Sequence, residues 1–220
     1  MHALLFDLDG TLVDTVYAHA LAWHSAFGEV GLEVNCYRLH RHVGSNGNLI
    51  VRFAQRESGH ALPAEQAETL LRRHAELFHR LLPRPPALPG AAEAFRTLPA
   101  AGVPCAVATS SYRPIINASL EAVAVGPQTV VTEGKGMLRG KPEPDVFLAC
   151  AAELGRPPGE CVVVGDAIWD HIGARRAGML SVGVLTGGYG EEELYHAGAF
   201  RVYRDVADLL RNLDQLGILL

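Results

Sequence analysis

His2-Ala3-Leu4-Leu5-Phe6-Asp7-Leu8-Asp9-Gly10-Thr11 opens with an apolar run and turns abruptly acidic. The run reads as a β-strand, and the acids fall just past its end. Asp7 and Asp9 project to the same side of an extended chain, where like charges repel. A divalent cation set beside them relieves that repulsion, so the stretch points to a metal site at a strand terminus.

Working outward, strand-like runs recur at residues 103–108, 129–132, 161–165, 181–185 and 200–203. Helical patterns fill residues 91–100, 114–123, 145–154 and 168–177 between them. Strands apolar on both faces and alternating with helices predict an α/β fold, a Rossmann-like doubly wound parallel sheet covered by helices on each side. Ligands of such sheets bind at the carboxyl ends of the strands. Asp7, Thr109 and Asp166 all fall there.

Residues 15–85 read differently. Val16, Ala20, Trp23, Phe27 and Val30 form one helical stripe, and Ala67, Leu70, Leu71, Leu77, Phe78 and Leu81 form a second. The block ends in Pro83-Arg84-Pro85-Pro86-Ala87-Leu88-Pro89-Gly90, a stiff connector. The expected organisation is therefore a catalytic core from residues 1–14 and 86–220, with an all-helical cap domain inserted at 15–85. Trp23 and Phe27 are expected to be packing residues.

Composition narrows the function. A 220-residue chain with 49% apolar residues and a formal charge of −5 fits a soluble globular protein. The acidic balance offers no basic stripe for nucleic acid, and no apolar run reaches the length of a membrane span. The N-terminus turns acidic too soon for a secretion signal. Cys36, Cys105, Cys150 and Cys161 form no CxxC pair and read as reduced thiols, so a cytoplasmic location is expected.

Four segments carry chemistry: Asp7-Leu8-Asp9-Gly10-Thr11, Thr109-Ser110-Ser111, Gly140-Lys141-Pro142-Glu143-Pro144-Asp145 and Gly165-Asp166-Ala167-Ile168-Trp169-Asp170. Singly, each has a plain structural explanation: a turn, a helix cap, a solvated loop lysine, a lone N-cap. Jointly they fall at one edge of one predicted sheet, in an order that assembles a phosphoryl-transfer site.

That set resembles the haloacid dehalogenase superfamily of phosphohydrolases, in the branch with a small helical cap after the first strand. The tail, with Ala197-Gly198-Ala199-Phe200 and Asp205-Val206-Ala207-Asp208-Leu209-Leu210, is similar to the phosphoglycolate phosphatase group. The resemblance implies Asp7 as the nucleophile that forms an aspartyl phosphate, and Asp9 as the acid/base. It implies Mg²⁺ held by Asp7, the backbone carbonyl of Asp9, and Asp166. Thr109, Ser110 and Lys141 bind the transferring phosphoryl group, and Asp170 holds a metal-bound water or steadies Lys141. The superfamily's dehalogenases lack an aspartate at the position of Asp9, so its presence favours attack on phosphorus.

The only lysines in the sequence are Lys135 and Lys141, so the insert has none. Relatives that cleave carbon–phosphorus bonds need a cap lysine, and the family's sugar-phosphate mutases also use one. Among cap residues Arg52 and His19 are the candidates to meet substrate. Ala167 departs from the serine usual in this branch, and Trp169 is unusually bulky. The leading expectation is a Mg²⁺-dependent phosphatase acting on a small phosphorylated metabolite. A β-phosphoglucomutase-like phosphotransferase is the alternative, and a silent binding module on the same fold is the third reading.

Overall fold

The structure, a computed structural model, describes residues 2–134 and 139–218. Of the segments assigned to the core from sequence, residues 1, 135–138 and 219–220 lie outside that description. Six strands, β1 (Ala3–Phe6), β2 (Cys105–Thr109), β3 (Val131–Glu133), β4 (Cys161–Gly165), β5 (Leu180–Val184) and β6 (Arg201–Tyr203), form one sheet in the order β3-β2-β1-β4-β5-β6. Every neighbouring pair is parallel.

The period-2 rule assigns the two faces. Leu4, Phe6, Val107, Val162 and Val164 pack on one side with Ala94 and Leu98 of α5 (Ala91–Ala100) and Val206 and Leu209 of α10 (Val206–Arg211). Leu5, Ala106, Ala108 and Val163 pack on the other with Val146, Phe147 and Cys150 of α7 (Asp145–Glu153) and Ala174 of α8 (Ile168–Arg176). Both faces of the central strands are thus dry, as the continuous apolar runs require. The register sets Phe6 beside Val164 and Val107, so the residues after β1, β2 and β4 emerge side by side at one edge.

Four helices lie between β1 and α5: α1 (Val16–Gly28), α2 (Cys36–His40), α3 (Gly47–Ser58) and α4 (Ala64–Leu81). They share a core of their own around Trp23, Phe27, Leu39, Ile50, Phe53 and Leu70. The two chain crossings into this layer run side by side: Val13 bridges antiparallel to Ala87, and the Asp14 amide donates to the Pro86 carbonyl at 3.0 Å.

Several boundaries differ from the sequence pattern. The stripe expected to reach Val30 stops earlier: α1 ends at Gly28, the chain turns at Gly31 (φ +75°), and Leu32 takes the buried place while Val30 is exposed. Leu81, expected on the apolar stripe of α4, is also exposed, because the last turn runs past the layer it packs on. The helix expected from Pro114 starts at Asn117, after a turn, as α6 (Asn117–Ala122). β2 begins at Cys105 rather than Val103, since Pro104 has no N–H to give a ladder. Among the described residues no helix is long and apolar enough to cross a membrane.

Candidate active site

The first acidic residue leaves β1 still held by the sheet: the Asp7 amide donates to the Val164 carbonyl at 2.9 Å. Gly10 then turns the loop at φ +90°, where a Cβ would run into the Asp166 carboxylate and Val16. Gly187 also lies against Asp166, where a Cβ would collide with the same carboxylate oxygen. Two glycines therefore form a cradle that only a bare backbone permits. Within it, buried Thr11 donates from Oγ1 to Asp166 Oδ1 at 2.7 Å, and Thr186 Oγ1 donates to the Gly10 carbonyl at 2.5 Å.

Asp166 follows β4, and Asp170 sits in the first turn of α8, where its Oδ2 accepts the Ala167 amide at 3.1 Å. Oxygens of Asp7, Asp166 and Asp170, all buried, lie within 4.8 Å of one another. Lys141, from the loop before α7, is fully buried (0% exposed) and its ammonium is shared between Asp7 and Asp170, 2.7 Å from Asp170 Oδ1. The ring of Phe147 lies under the same ammonium, 5.1 Å from its centroid.

Charge in that volume is unbalanced. Burial, reinforced by the Asp170 carboxylate and only partly offset by Lys141, pushes the Asp7 carboxyl up to about 7. Burial and the neighbouring Asp170 and Asp7 likewise raise Asp166 well above the ordinary carboxylate value. Burial favours the neutral amine at Lys141, but Asp170 and Asp7 outweigh it and raise the group above its ordinary value, so the ammonium stays charged. Fully ionised, the three carboxylates would outnumber the one ammonium by two charges, and among the described residues no hydrogen bond reaches the buried Asp7 Oδ2. An orphaned oxygen, a surplus of two charges and an all-oxygen donor set fit a hard divalent ion such as Mg²⁺.

Asp9 points elsewhere. Its Oδ1 accepts from Thr15 Oγ1 at 2.7 Å and lies 3.3 Å from His19 Nε2, and its Oδ2 accepts from Ser111 Oγ at 3.2 Å. Burial by itself would raise this carboxyl, but His19, Thr15 and Ser111 prevail and hold it below the ordinary value. Thr109, at the end of β2, accepts the Ser111 amide at 3.0 Å, which leaves its hydroxyl proton free to donate. Ser110 Oγ is buried without a partner.

Asp7, Asp9, Thr109, Ser110 and Ser111 line the floor of a cavity of about 290 Å³ roofed by the helical layer. His19, Trp23, Ser45, Asn46, Asn48 and His74 line its roof and walls. The layer is seated on the sheet edge by several contacts. The Asn46 amide donates to the Lys141 carbonyl at 3.1 Å, and the Arg41 carbonyl accepts both Tyr189 OH at 2.6 Å and Trp169 Nε1 at 3.2 Å. Trp169 thus ties the two layers together rather than filling the core. At Ala167 the methyl group lies 3.2 Å from where a Cβ on Gly44 would stand, so the small residue lets the layers approach closely.

The sequence candidates therefore divide. Asp7, Asp166, Asp170 and Lys141 meet in one cluster; Asp9, Thr109 and Ser110 line the cavity beside it; and His19 reaches it from α1. Arg52 does not: it is exposed and lines a separate outer groove with Leu49, Gln55, Arg56 and His60. Its helix turns Asn48 toward the cavity, while the side chain of Arg52 runs along the outside. Residues that the sequence reading passed over include Thr15, Ser111 as partner of Asp9, and His74. The available signal for His74 was a lone imidazole between Leu70 and Phe78 on the apolar face of a helix.

A family model described as haloacid dehalogenase-like hydrolase matches residues 1–178. A fructose-1-phosphate phosphatase of Escherichia coli is 32% identical over 194 residues, covering 82% of this chain and 95% of its own. A β-phosphoglucomutase of Bacillus subtilis is 29% identical over 221 residues, covering 97% and 93%. The crystal structure of a hydrolase from Pseudomonas syringae superposes with a TM-score of 0.94 at 40% identity, over 98% of this chain and 99% of that one. Carried by that match over most of its length, the chain belongs to the haloacid dehalogenase-like hydrolases.

Proposed function

We propose that the protein is a Mg²⁺-dependent phosphatase that hydrolyses a small phosphorylated metabolite through an aspartyl phosphate on Asp7, with residues 15–85 acting as the cap. One observation carries this reading: Asp7, Asp166 and Lys141 meet at a buried point beside Asp9, at the floor of the cavity between the sheet edge and the helical layer.

Asp7, Asp166 and the backbone carbonyl of Asp9 are the ligands assigned to the ion, with Asp170 within reach of the same cluster. Bound there, Mg²⁺ supplies the positive charge that lets an anionic carboxylate approach an anionic phosphate. The remaining work falls to the chain. Asp7 attacks phosphorus, the bond to the ester oxygen breaks, and Asp9 gives that oxygen a proton so that a neutral alcohol leaves. Asp9 does so from its acid form, which the second step regenerates, although its neighbours favour the carboxylate before substrate binds. Asp9 then takes a proton from water, whose oxygen attacks the acyl phosphate and frees Asp7 and inorganic phosphate. Lys141, Thr109 and Ser110 hold the charge that spreads over the phosphoryl oxygens. Ser45, Asn46 and Asn48 face Trp23, Ile50 and Leu71 across the cavity, a lining that suits a hydroxylated carbon skeleton such as a sugar.

The likeness to a β-phosphoglucomutase favours a second reading, in which the aspartyl phosphate passes to a sugar hydroxyl. A panel of metabolite phosphomonoesters with Mg²⁺, followed for both inorganic phosphate and isomer, separates the two. Phosphate release is expected, and Asp7→Asn is expected to remove it by at least about a thousandfold with the fold intact. Turnover surviving in Asp7→Asn refutes the nucleophile, and isomer without phosphate selects the mutase.

A further inference from the structure

The helical layer reaches Asp9 through two imidazoles. His19 Nδ1 lies 3.0 Å from His74 Nε2, and His19 Nε2 lies 3.3 Å from Asp9 Oδ1, a close contact without hydrogen-bond geometry. Both rings are buried and clamped by stacking. His19 lies on Phe78 with centroids 3.9 Å apart and planes at 1°, and His74 lies on Trp23 at 4.1 Å and 12°. The path runs from α4 through α1 to the catalytic loop, and it ends on the carboxyl that must hand over a proton.

We infer that His74 is a positioning residue for Asp9, acting through His19. The reading rests on Asp9 as the acid in the proposed phosphatase reaction. Stacking on Phe78 fixes the plane of the His19 ring but still allows two orientations, related by a half-turn about Cβ–Cγ. Only one of them presents Nε2 to Asp9, so stacking alone does not aim it. The bond to His74 removes that freedom, because a buried imidazole nitrogen stays where its partner is. Without His74, Nδ1 of His19 is orphaned, and the ring turns to satisfy it at the expense of the contact with Asp9. Thr15 and Ser111 still hold the carboxyl, so its aim degrades rather than disappears. Because His74 sits on α4 and lines the cavity roof, the seating of the cap on substrate is transmitted to the acid.

The leaving group reads this out. An alkyl ester must be protonated as it leaves, whereas p-nitrophenolate leaves unaided, so only the first depends on a well-aimed acid. Asp9 is also the base that hydrolyses the acyl phosphate from either ester, so the comparison is made in kcat/KM, which ends at formation of that intermediate. His74→Leu is expected to lower kcat/KM for the best alkyl phosphate of the metabolite panel by about ten- to a hundredfold, with p-nitrophenyl phosphate within about threefold. His74→Gln, which keeps a polar group toward His19, is expected to recover part of the loss. His74→Phe keeps the stack on Trp23 without a nitrogen and should behave as His74→Leu does, which separates the hydrogen bond from packing.

Asp9→Asn is the reference. If it discriminates between the two esters and the His74 variants do not, the positioning role is wrong and the acid stands. If Asp9→Asn depresses both esters alike, the acid assignment falls and takes this role with it. An equal loss on both esters in His74→Leu and His74→Phe assigns His74 to structure alone and overturns the inference.

Discussion

Asp7 and Asp9 leave the same strand two residues apart, are both buried, and sit in opposite surroundings. Asp7 faces the sheet edge, where Asp166 and Asp170 crowd it and, among the described residues, Lys141 is the positive group that meets it, and its carboxyl is pushed up to about 7. Asp9 turns away from that cluster: Thr15 and, from the loop after β2, Ser111 donate to it, His19 of α1 lies 3.3 Å away, and its carboxyl is held low. Burial does not separate them, since it acts upward on both; the neighbours do. The sheet half crowds three carboxylates around one ammonium, and the other half surrounds one carboxylate with hydroxyls and an imidazole. That contrast is why the proposed cation is placed at Asp7 and the proposed proton transfer at Asp9.

The sharpest way to break that contrast is Lys141→Ala. Removing one partner of a buried ion network leaves uncompensated charge, and Asp7 and Asp170 both lose their counter-ion. The expected loss is about 3–5 kcal/mol in urea unfolding without metal, together with loss of turnover. A cost near zero would mean that the three carboxylates do not depend on the lysine.

On the cap side, Thr15→Val removes one of several donors from Asp9 at nearly constant volume. The expected cost is smaller, about 1.5–3 kcal/mol, because His19 and Ser111 remain. A larger loss than for Lys141→Ala would invert the comparison and place the fragile charge at Asp9.

What was legible in the sequence follows the same divide. The sheet half is written in contiguous pieces: an apolar strand followed at once by its acid, as at Phe6-Asp7 and Gly165-Asp166, can be read locally because the backbone itself carries the side chain to the edge. Alternation of Leu4 and Phe6 with Ala3 and Leu5 fixed the two faces for the same reason. The cap half depends on where helices dock, and no local pattern encodes that. Arg52 looked as suitable as His19 to meet substrate, yet it faces an outer groove, while His74, hidden in an apolar stripe, lines the cavity. Val30 and Leu81 fit their helical periods and still lie outside the core, since periodicity does not say where a helix stops. Short elements such as β3 and α6 shifted by a few residues because proline and turn geometry set their starts.

The most direct test is the thermal midpoint of chelator-treated protein across pH, as wild type minus Asp7→Asn, with and without Mg²⁺. A carboxyl whose folded value is raised binds its proton more tightly in the native state, so its contribution is full below the unfolded value and is lost as pH rises. Without metal the difference is expected to fall between about pH 4 and about pH 7, as Asp7 ionises among Asp166 and Asp170. Saturating Mg²⁺ should reverse that fall, raising the wild type most at neutral pH, by about 2.7 kcal/mol at a hundredfold excess over Kd. Asp166→Asn should lose most of this response. A wild-type midpoint indifferent to Mg²⁺ at every pH, or an equal Mg²⁺ shift in Asp166→Asn, would contradict a cation shared by Asp7 and Asp166.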